Sequence, residues 1–203
     1  MTATQAFTIF ETAIGPCAIA WADQGIIGVQ LPEPSEREMR ARMRRRFPAA
    51  TEPPPPYPLL IQSAIDAIVA LLDGQSSDLS SIALDMHGVP EFHQRVYAVA
   101  RTIPPGATLS YGDIAARLGE PAWPAARDVG QALAQNPFPI VVPCHRVLAA
   151  NGKLGGFSAR GGTTTKLRLL SIEIASSSAS DKQAGPSAGG GPAAAFNIPM
   201  FTE

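Results

Sequence analysis

The residues best suited to chemistry lie in one short segment, where an apolar run over residues 138–142 leads into Pro143, Cys144 and His145. The nucleophilic form of cysteine is the thiolate, and a free thiol with a pKa of about 8.5 needs a basic or cationic neighbour to form it. His145 is the obvious proton acceptor, and Glu173 is the obvious carboxylate to orient its ring. Because adjacent Cys and His side chains usually diverge, we expect a bridging water between them. The segment therefore predicts a cysteine nucleophile.

The same residue types also fit a structural role, since a lone cysteine in an apolar segment is commonly a core residue. The two cysteines of the 203-residue chain lie far apart and outside any CxxC pair, and the three histidines are scattered, so we expect no metal site. There is no run of about 18 apolar residues and no secretory signal, which favours a reduced, cytoplasmic chain without membrane contact.

The first part of the chain, residues 1–85, is predicted to form a small unit of strands and helices. Three apolar runs rich in Ile, Val, Phe and Trp are separated by short turns, a pattern typical of a β meander. Ser35 is a suitable N-cap for a first helix, and a proline run at 53–56 separates it from a second. One more strand is expected over residues 78–86. Cys17, in the second strand, is expected to be a buried apolar side chain.

The second part, residues 86–175, is predicted to be mainly helical. The segment PEFHQRVYAVARTIP places its apolar residues on one helix face, and Ser110 is expected to cap a second helix that ends at Gly119. A third helix is expected over about Ala125–Asn136. The second and third helices together resemble a helix-turn-helix pair, a signal that many helical hairpins share.

Charge and composition separate these parts from each other and from a tail. Residues 1–85 carry six arginines and ten acidic residues, a net charge of −4, whereas residues 86–174 carry nine basic and five acidic residues, a net charge of +4. The asymmetry slightly favours a polyanionic partner for the second part alone. Residues 176–203 are rich in Ser, Ala, Gly and Pro, so we expect a flexible tail there.

Several motifs in the second part occur together in one known family. The block from Phe92 to Glu173 resembles the O6-alkylguanine-DNA alkyltransferases, also called methylated-DNA–protein-cysteine methyltransferases. The resemblance runs in order through IPPGATLSYGDIAARLG, AARDVGQALAQNPFPIVVPCHRV, GKLGGFS and KLRLLSIE, and it centres on the five residues PCHRV. It implies an α+β fold with a small N-terminal β-meander and helix domain of ribonuclease H-like type (1–85). A mainly helical, winged helix-turn-helix alkyltransferase domain (86–175) and the tail (176–203) would follow.

The resemblance also implies a function, the direct reversal of DNA damage. An alkyl group would move irreversibly from O6-alkylguanine, with O4-alkylthymine as a second candidate substrate, to Cys144 in a single turnover. His145 and Glu173 match the hydrogen-bonding pair that helps to form the thiolate, and Asn136 matches the residue that holds the active-site turn together. The protein would act as a monomer on double-stranded DNA, after flipping the damaged base out of the duplex.

Further positions are implied to contact the base and the duplex. They are Tyr111, Val147, Phe157 and Ser158 for the substrate, and Ala126, Arg127 and Gln131 for DNA. Tyr111 would donate a proton to the guanine leaving group, the Val147 carbonyl would accept from the base's amino group, and Phe157 and Ser158 would line the other wall. Arg127 would enter the duplex in place of the extruded base. Where the family commonly has a tyrosine, this chain has Phe157.

Elementary chemistry supports this interpretation independently. A base inside a duplex cannot be reached by an enzyme nucleophile, so it must be extruded and its place filled. Attack by sulfur on an alkyl carbon leaves guanine as an anion unless a proton arrives, and a phenol is a suitable donor. No metal, nucleotide cofactor or methyl donor is required, and no glycine-rich phosphate loop is present.

Three other functions and one added partner are compatible with parts of the sequence. Alkyltransferase-like proteins bind lesions without a reactive cysteine, and Cys144 argues against that class. A regulator controlled by a methylated cysteine would usually carry a further DNA-binding and metal-binding module, whereas a cysteine hydrolase would turn over and release an acyl product. Residues 196–201 loosely resemble the short C-terminal peptides that bind sliding clamps, so a weak clamp contact is a further hypothesis.

Overall fold

The computed structural model describes residues 4–183, which form five strands and six α-helices. The strands are β1 (Ala6–Phe10), β2 (Cys17–Ala22), β3 (Gly25–Gln30), β4 (Leu109–Ser110) and β5 (Val147–Leu148). The helices are α1 (Glu36–Arg46), α2 (Leu59–Leu72), α3 (Glu91–Arg101), α4 (Tyr111–Arg117), α5 (Ala122–Ala134) and α6 (Thr163–Gln183). Short 3₁₀ turns cover Cys144–Arg146 and Ala150–Gly152. The mixed α+β class with strands first and helices later is confirmed.

The first three strands form the expected meander. They pair antiparallel in the order β1-β2-β3, with Phe7 opposite Ala20 and Ala18 opposite Gln30. Helix α1 covers one face of this sheet by burying Met39 and Met43 against it. The opposite face contributes to a larger core, which continues without interruption into the helices of the second part. The meander is therefore packed on both sides, as its apolar composition requires.

The strand expected over residues 78–86 is wrong, because only Leu84 makes a β-bridge there, to Ile26. The Asp78 carboxylate accepts hydrogen bonds from the backbone and hydroxyl of Ser80, which turns the chain. The guanidinium of Arg101 then binds the carbonyl oxygens of residues 79, 80 and 82. Carbonyls that point at one side chain cannot form a β ladder, so the segment follows an irregular path.

The helices of the second part lie close to their predicted positions. Ser110 caps α4 with a capping box, since its hydroxyl accepts from the Asp113 N–H and the Asp113 carboxylate accepts from the Ser110 N–H. The chain leaves α4 through Gly119, whose φ is +77°. Helix α5 starts at Ala122, three residues earlier than expected. The sequence places a loop there because it contains Pro124, but a proline is tolerated in the first turn of a helix, where an N–H has no partner.

Two further features of the fold are the β4–β5 pair and the last helix, α6. Strands β4 and β5 pair in parallel, with Leu109 opposite Val147, and this short ladder joins the start of α4 to the segment after Cys144. Helix α6 continues through Gln183, so residues 176–183 are helical and the tail predicted from 176 begins too early. Within the helix, the Ser176 hydroxyl donates to the carbonyl of Ile172, one turn earlier. The clamp-binding hypothesis concerns residues outside the described range.

Candidate active site

Cys144 opens a 3₁₀ turn at the end of a tightly held loop. The side chain of Asn136 bridges this loop, since its Nδ2 donates to the Val142 carbonyl at 2.9 Å and its Oδ1 accepts from the Phe138 N–H at 2.8 Å. Ile140, between them, is buried with a φ of +75°, a conformation that β-branched residues rarely adopt. A strained loop that is bridged by side-chain hydrogen bonds in this way fixes the position of the residue that follows it. Asn136 therefore has the geometry expected of a residue that holds the turn together.

The thiol of Cys144 is buried but lies among groups that favour its ionised form. Burial raises the pKa of Cys144, whereas a hydrogen bond from the Asn136 amide, the positive charge of Lys166 and nearby backbone N–H groups act in the opposite direction. The net direction is upward, so the resting side chain is a neutral thiol. A neutral thiol must lose its proton before it can attack, and the site therefore needs a base.

The structure brings His145 and Glu173, the predicted base and its orienting carboxylate, into contact. His145 Nε2 lies 2.9 Å from Glu173 Oε1, and both side chains are almost completely buried. Burial lowers the pKa of His145 more than the neighbouring carboxylate raises it, so the ring is neutral at rest. In the neutral ring, the nitrogen facing Glu173 carries the proton and Nδ1 is the basic atom. Nδ1 is buried and makes no hydrogen bond within residues 4–183.

Glu173 is held ionised by a second partner that the sequence analysis missed. Arg146 Nε lies 2.9 Å from Oε2 and its NH2 lies 2.7 Å from Oε1, a bidentate pair inside the core. Burial raises the pKa of Glu173, but the hydrogen bonds and charges of His145 and Arg146 outweigh it and lower the pKa to about 2. Arg146 stands within the PCHRV motif directly after His145, and this adjacency was the signal available for it.

Lys166 is a second missed residue, fully buried on α6. Its ammonium group donates to the carbonyls of Val147 and Leu154, each at 2.6 Å, and so fixes the two segments on either side of the second 3₁₀ turn. The Val147 carbonyl, expected to accept from the base, thus already accepts a hydrogen bond from Lys166. Lys166 also supplies positive charge near the thiol of Cys144. In the sequence, Lys166 lies between a threonine-rich and a leucine-rich stretch, and nothing in this pattern predicts that it is buried.

A cavity of about 430 Å³ opens on Cys144 and contains most of the predicted substrate-binding residues. Tyr111, Phe157 and Ser158 line it together with residues of α5. Tyr111 is the first residue of α4, so the β4–β5 ladder brings it beside the segment that carries the thiol. Burial raises the pKa of Tyr111, which keeps its hydroxyl protonated and able to donate. The ring packs closely against Gly155, since a Cβ built there would lie 3.2 Å from the Tyr111 hydroxyl oxygen.

The residues predicted to contact DNA lie on the outer face of α5. Arg127 and Gln131 are exposed and Ala126 is partly exposed, whereas Val129 and Ala132 face the core. Gly130 and Ala134 of the same helix border the cavity. A duplex lying along α5 would therefore lie directly over the mouth of the cavity that contains the thiol.

The second cysteine has different surroundings. Cys17 is completely buried in β2, and burial raises its pKa to about 12, against a hydrogen bond with Thr12 that lowers it. Its prediction as a buried apolar side chain is confirmed. Within the described part of the chain, no three His, Cys, Asp or Glu side chains are grouped so as to hold a metal ion, and no helix is long and apolar enough to span a membrane.

Comparison with known proteins identifies the family. Residues 91–175 match the family model described as 6-O-methylguanine DNA methyltransferase, DNA binding domain. The methylated-DNA–protein-cysteine methyltransferase of Methanothermobacter thermautotrophicus is 35% identical over 155 residues, which cover 76% of this chain and 77% of that protein. The Mycobacterium tuberculosis protein of the same name is 34% identical over 167 residues, covering 82% and 91%.

A solved structure agrees with these matches over most of both chains. The crystal structure of Mycobacterium tuberculosis OGT in complex with DNA superimposes with a TM-score of 0.68 at 33% identity, covering 84% of this chain and 94% of that one. Sequence and fold thus match over both the strand-rich and the helical parts. The chain belongs to the methylated-DNA–protein-cysteine methyltransferase family.

Proposed function

We propose that this protein repairs O6-alkylguanine in double-stranded DNA by transferring the alkyl group irreversibly to Cys144. The observation that carries the proposal is the buried thiol, which is backed by a His145–Glu173 pair and opens into a cavity lined by Tyr111. Family membership points to the same reaction. The protein is thus a methylated-DNA–protein-cysteine methyltransferase that acts once per molecule.

Deprotonation of the thiol is the first chemical step. His145 accepts the proton of Cys144 at Nδ1, directly or through one water, because Nε2 already donates to Glu173. The imidazolium formed in this step is stabilised by the ionised carboxylate of Glu173. The thiolate is stabilised by the Asn136 amide and by the charge of Lys166. Each charge that appears in the reaction therefore faces a group already in place.

Transfer follows as a single displacement. The thiolate sulfur attacks the alkyl carbon, the S–C bond forms as the bond from carbon to O6 breaks, and the electron pair leaves on O6. The Tyr111 hydroxyl donates to this oxygen, so guanine departs without an isolated negative charge. The Tyr111 oxygen recovers a proton from the His145 imidazolium or from solvent. The product is a thioether, which is not readily hydrolysed, and no step regenerates Cys144.

Recognition of DNA is assigned to α5. We place this helix in a helix-turn-helix with α4, with Arg127 and Gln131 on the exposed face and the small Ala126 allowing close approach to the backbone. The target base is flipped into the cavity while Arg127 fills the gap in the duplex. Arg146 and Lys166 are buried, so the phosphate contacts, which do not depend on sequence, come from the exposed basic residues among 86–174.

Finer structural and cellular assignments belong to the same proposal. We assign residues 1–85 to a ribonuclease H-like domain and 86–175 to a winged helix-turn-helix domain that acts as a monomer in the cytoplasm. Phe157, Ser158 and the Val147 carbonyl bind the flipped base. The start of the family model at residue 91 supports the boundary. The clamp contact through residues 196–201 remains a prediction.

Mass spectrometry tests the function directly. The protein is incubated with a duplex that carries one O6-methylguanine, and the intact protein and its peptides are weighed. We expect one added methyl group on the peptide containing Cys144, in proportion to the lesion lost. Cys144→Ala should bind without gaining mass, whereas Cys17→Ala is the matched control and should still be methylated. Binding of the lesion by the wild-type protein without mass gain would refute the transfer reaction.

A further inference from the structure

A second cavity, of about 390 Å³, also opens on Cys144. It shares Ala134, Cys144, Phe157 and Ser158 with the cavity that contains Tyr111, so the two spaces adjoin at the thiol. Its far wall comes from the N-terminal part of the chain, namely the end of β3 and the side of α1. Reaction with a methyl group makes no use of this space.

The geometry of displacement shows what the second cavity could hold. Sulfur, the attacked carbon and O6 must lie nearly in line. With the base in the first cavity, a substituent on that carbon must project away from this line and beside the sulfur. The second cavity adjoins that point and is far larger than a methyl group. It is therefore positioned to receive the distal end of a longer alkyl group.

The charge of the far wall is positive. Arg42 and Arg46 line the cavity, and none of its lining residues within 4–183 is acidic. Arg46 donates to the carbonyls of Val29 and Pro137 and to the side-chain oxygen of Gln30, all of them uncharged acceptors.

Among the described residues, Arg46 has no acidic partner to neutralise its charge. None of the ion pairs formed among the described residues includes it. Burial lowers the pKa of Arg46, and the charge of Arg42 acts in the same direction. Arg42 itself pairs with Glu33 at 3.1 Å but keeps about half of its side chain exposed, at 46%. The three oxygens that accept hydrogen bonds from the Arg46 guanidinium are uncharged, so its positive charge remains available to an anion in the cavity.

We propose that this cavity selects alkyl groups that end in a carboxylate, such as carboxymethyl, over neutral groups of the same size. The inference rests on the proposed function and names a substrate class for the same thiol. The bond changes are those of methyl transfer: sulfur bonds to the methylene carbon, the carbon–O6 bond breaks, and guanine leaves with the electron pair and takes a proton. The product carries an S-carboxymethyl group at Cys144 with its carboxylate towards Arg42 and Arg46.

Three duplexes test the inference, carrying O6-methylguanine, O6-carboxymethylguanine or its neutral isostere O6-(carbamoylmethyl)guanine. The second-order rate of adduct formation at Cys144 is measured by intact mass. The selectivity is the ratio of the carboxymethyl rate to the carbamoylmethyl rate. A charge interaction across part of the cavity should give a ratio of about three to ten. The ratio should fall towards one as the salt concentration rises, because screening weakens it.

Variants of α1 identify the residues responsible. Arg46→Gln and Arg42→Gln should each lower the ratio, whereas Arg46→Lys, which keeps the charge, should preserve most of it. Arg40→Gln is the matched control, because Arg40 lies on the same helix, pairs with Glu36 and Glu52, and does not line the cavity. Since the ratio compares two substrates with one protein, a general loss of activity or folding in a variant cancels.

The outcomes separate the two proposals. Methyl transfer with a wild-type ratio at or below one overturns the inference and leaves the function intact. A ratio above one that Arg46→Gln and Arg42→Gln leave unchanged also overturns it. No transfer from any duplex overturns the proposed function and the inference with it. A salt-sensitive ratio above one that falls in both Gln variants and not in Arg40→Gln supports the inference.

Discussion

The carboxylate of Glu173 joins the proposed base to a buried cation, and Glu173→Gln removes its charge while keeping its size. The glutamine oxygen can still accept the hydrogen bond from His145 Nε2. Arg146, with only 5% of its surface exposed, would instead face a neutral amide and lose its one charged partner among the described ion pairs. Breaking a buried ion pair on one side costs about 3–5 kcal/mol, because the remaining charge is uncompensated. We expect the free energy of unfolding to fall by that amount.

The chemical step should suffer separately. When His145 takes the proton of Cys144, an imidazolium forms in the core, and Glu173 is the ionised group in contact with it. Without this charge the imidazolium is less stable and the thiolate is formed less often. Positioned bases with their orienting carboxylate contribute about 10²–10⁴-fold to rate. The rate of alkyl transfer should therefore fall by a factor in that range, even where the variant is fully folded.

Two measurements test these expectations. Urea unfolding followed by tryptophan fluorescence, to which the buried Trp21 contributes, gives the change in stability. Single-turnover methyl transfer, measured in the cold where the variant remains folded, gives the rate. Glu120→Gln is the matched control, since Glu120 pairs with Arg95 at the surface and should change stability by less than about 0.5 kcal/mol. Wild-type stability in Glu173→Gln would refute the buried pair, and a wild-type rate would refute the role in proton transfer.

Three further predictions follow from single contacts. Gly155→Ala should slow transfer in single-turnover assays, because the new Cβ would lie 3.2 Å from the Tyr111 oxygen. Gly119→Ala is the control: Gly119 also has a positive φ, but an added Cβ there would meet no atom within 4 Å, so no comparable slowing is expected. Because the pKa of Glu173 is lowered to about 2, its ionised form stabilises the fold by on the order of 3 kcal/mol above its usual pKa. This stabilisation is lost as the pH falls towards 2. Acid unfolding of the wild-type protein, compared with Glu173→Gln, measures the loss. Arg127→Ala should reduce the rate on lesions in duplex DNA more than on lesions in single strands, since only the duplex needs the gap filled; equal losses in stopped-flow assays would argue against that role.

The elements of the fold that could be predicted from the sequence are those with local causes. The Ser110 cap depends on residues three positions apart, and the meander depends on apolar runs separated by turns. Residues 78–86 have the composition of a strand, and they fail to form one because Arg101, in a distant helix, binds their carbonyls. The parallel pairing of β4 with β5 is likewise non-local, since each strand has only two residues and neither has a pattern of its own.

The candidate site divides in the same way. Cys144 and His145 are adjacent in the sequence, and their chemistry follows from residue type. The contact of Glu173 with His145 spans 28 positions, so residue type could suggest the pair, and the resemblance to a known family supported its alignment. The burial of Lys166 could not be expected from residue type, because lysine is rarely buried unless its donors are satisfied. Two backbone carbonyls satisfy it here, and backbone carbonyls look the same at every position of a sequence.

The protonation states of Cys144 and His145 explain how a reactive cysteine can be protected from oxidants before it meets its substrate. Burial raises the pKa of Cys144 and lowers that of His145, so both groups are neutral at rest and the thiol is a poor nucleophile towards oxidants in solution. In the proposed reaction, Glu173, which Arg146 holds ionised, stabilises the imidazolium that forms when His145 takes the proton. The thiolate then forms only as a minor species, and it is consumed when an alkyl carbon is held next to the sulfur. A protein that can react once gains from this arrangement, because its single nucleophile remains unspent until a damaged base occupies the cavity beside Tyr111.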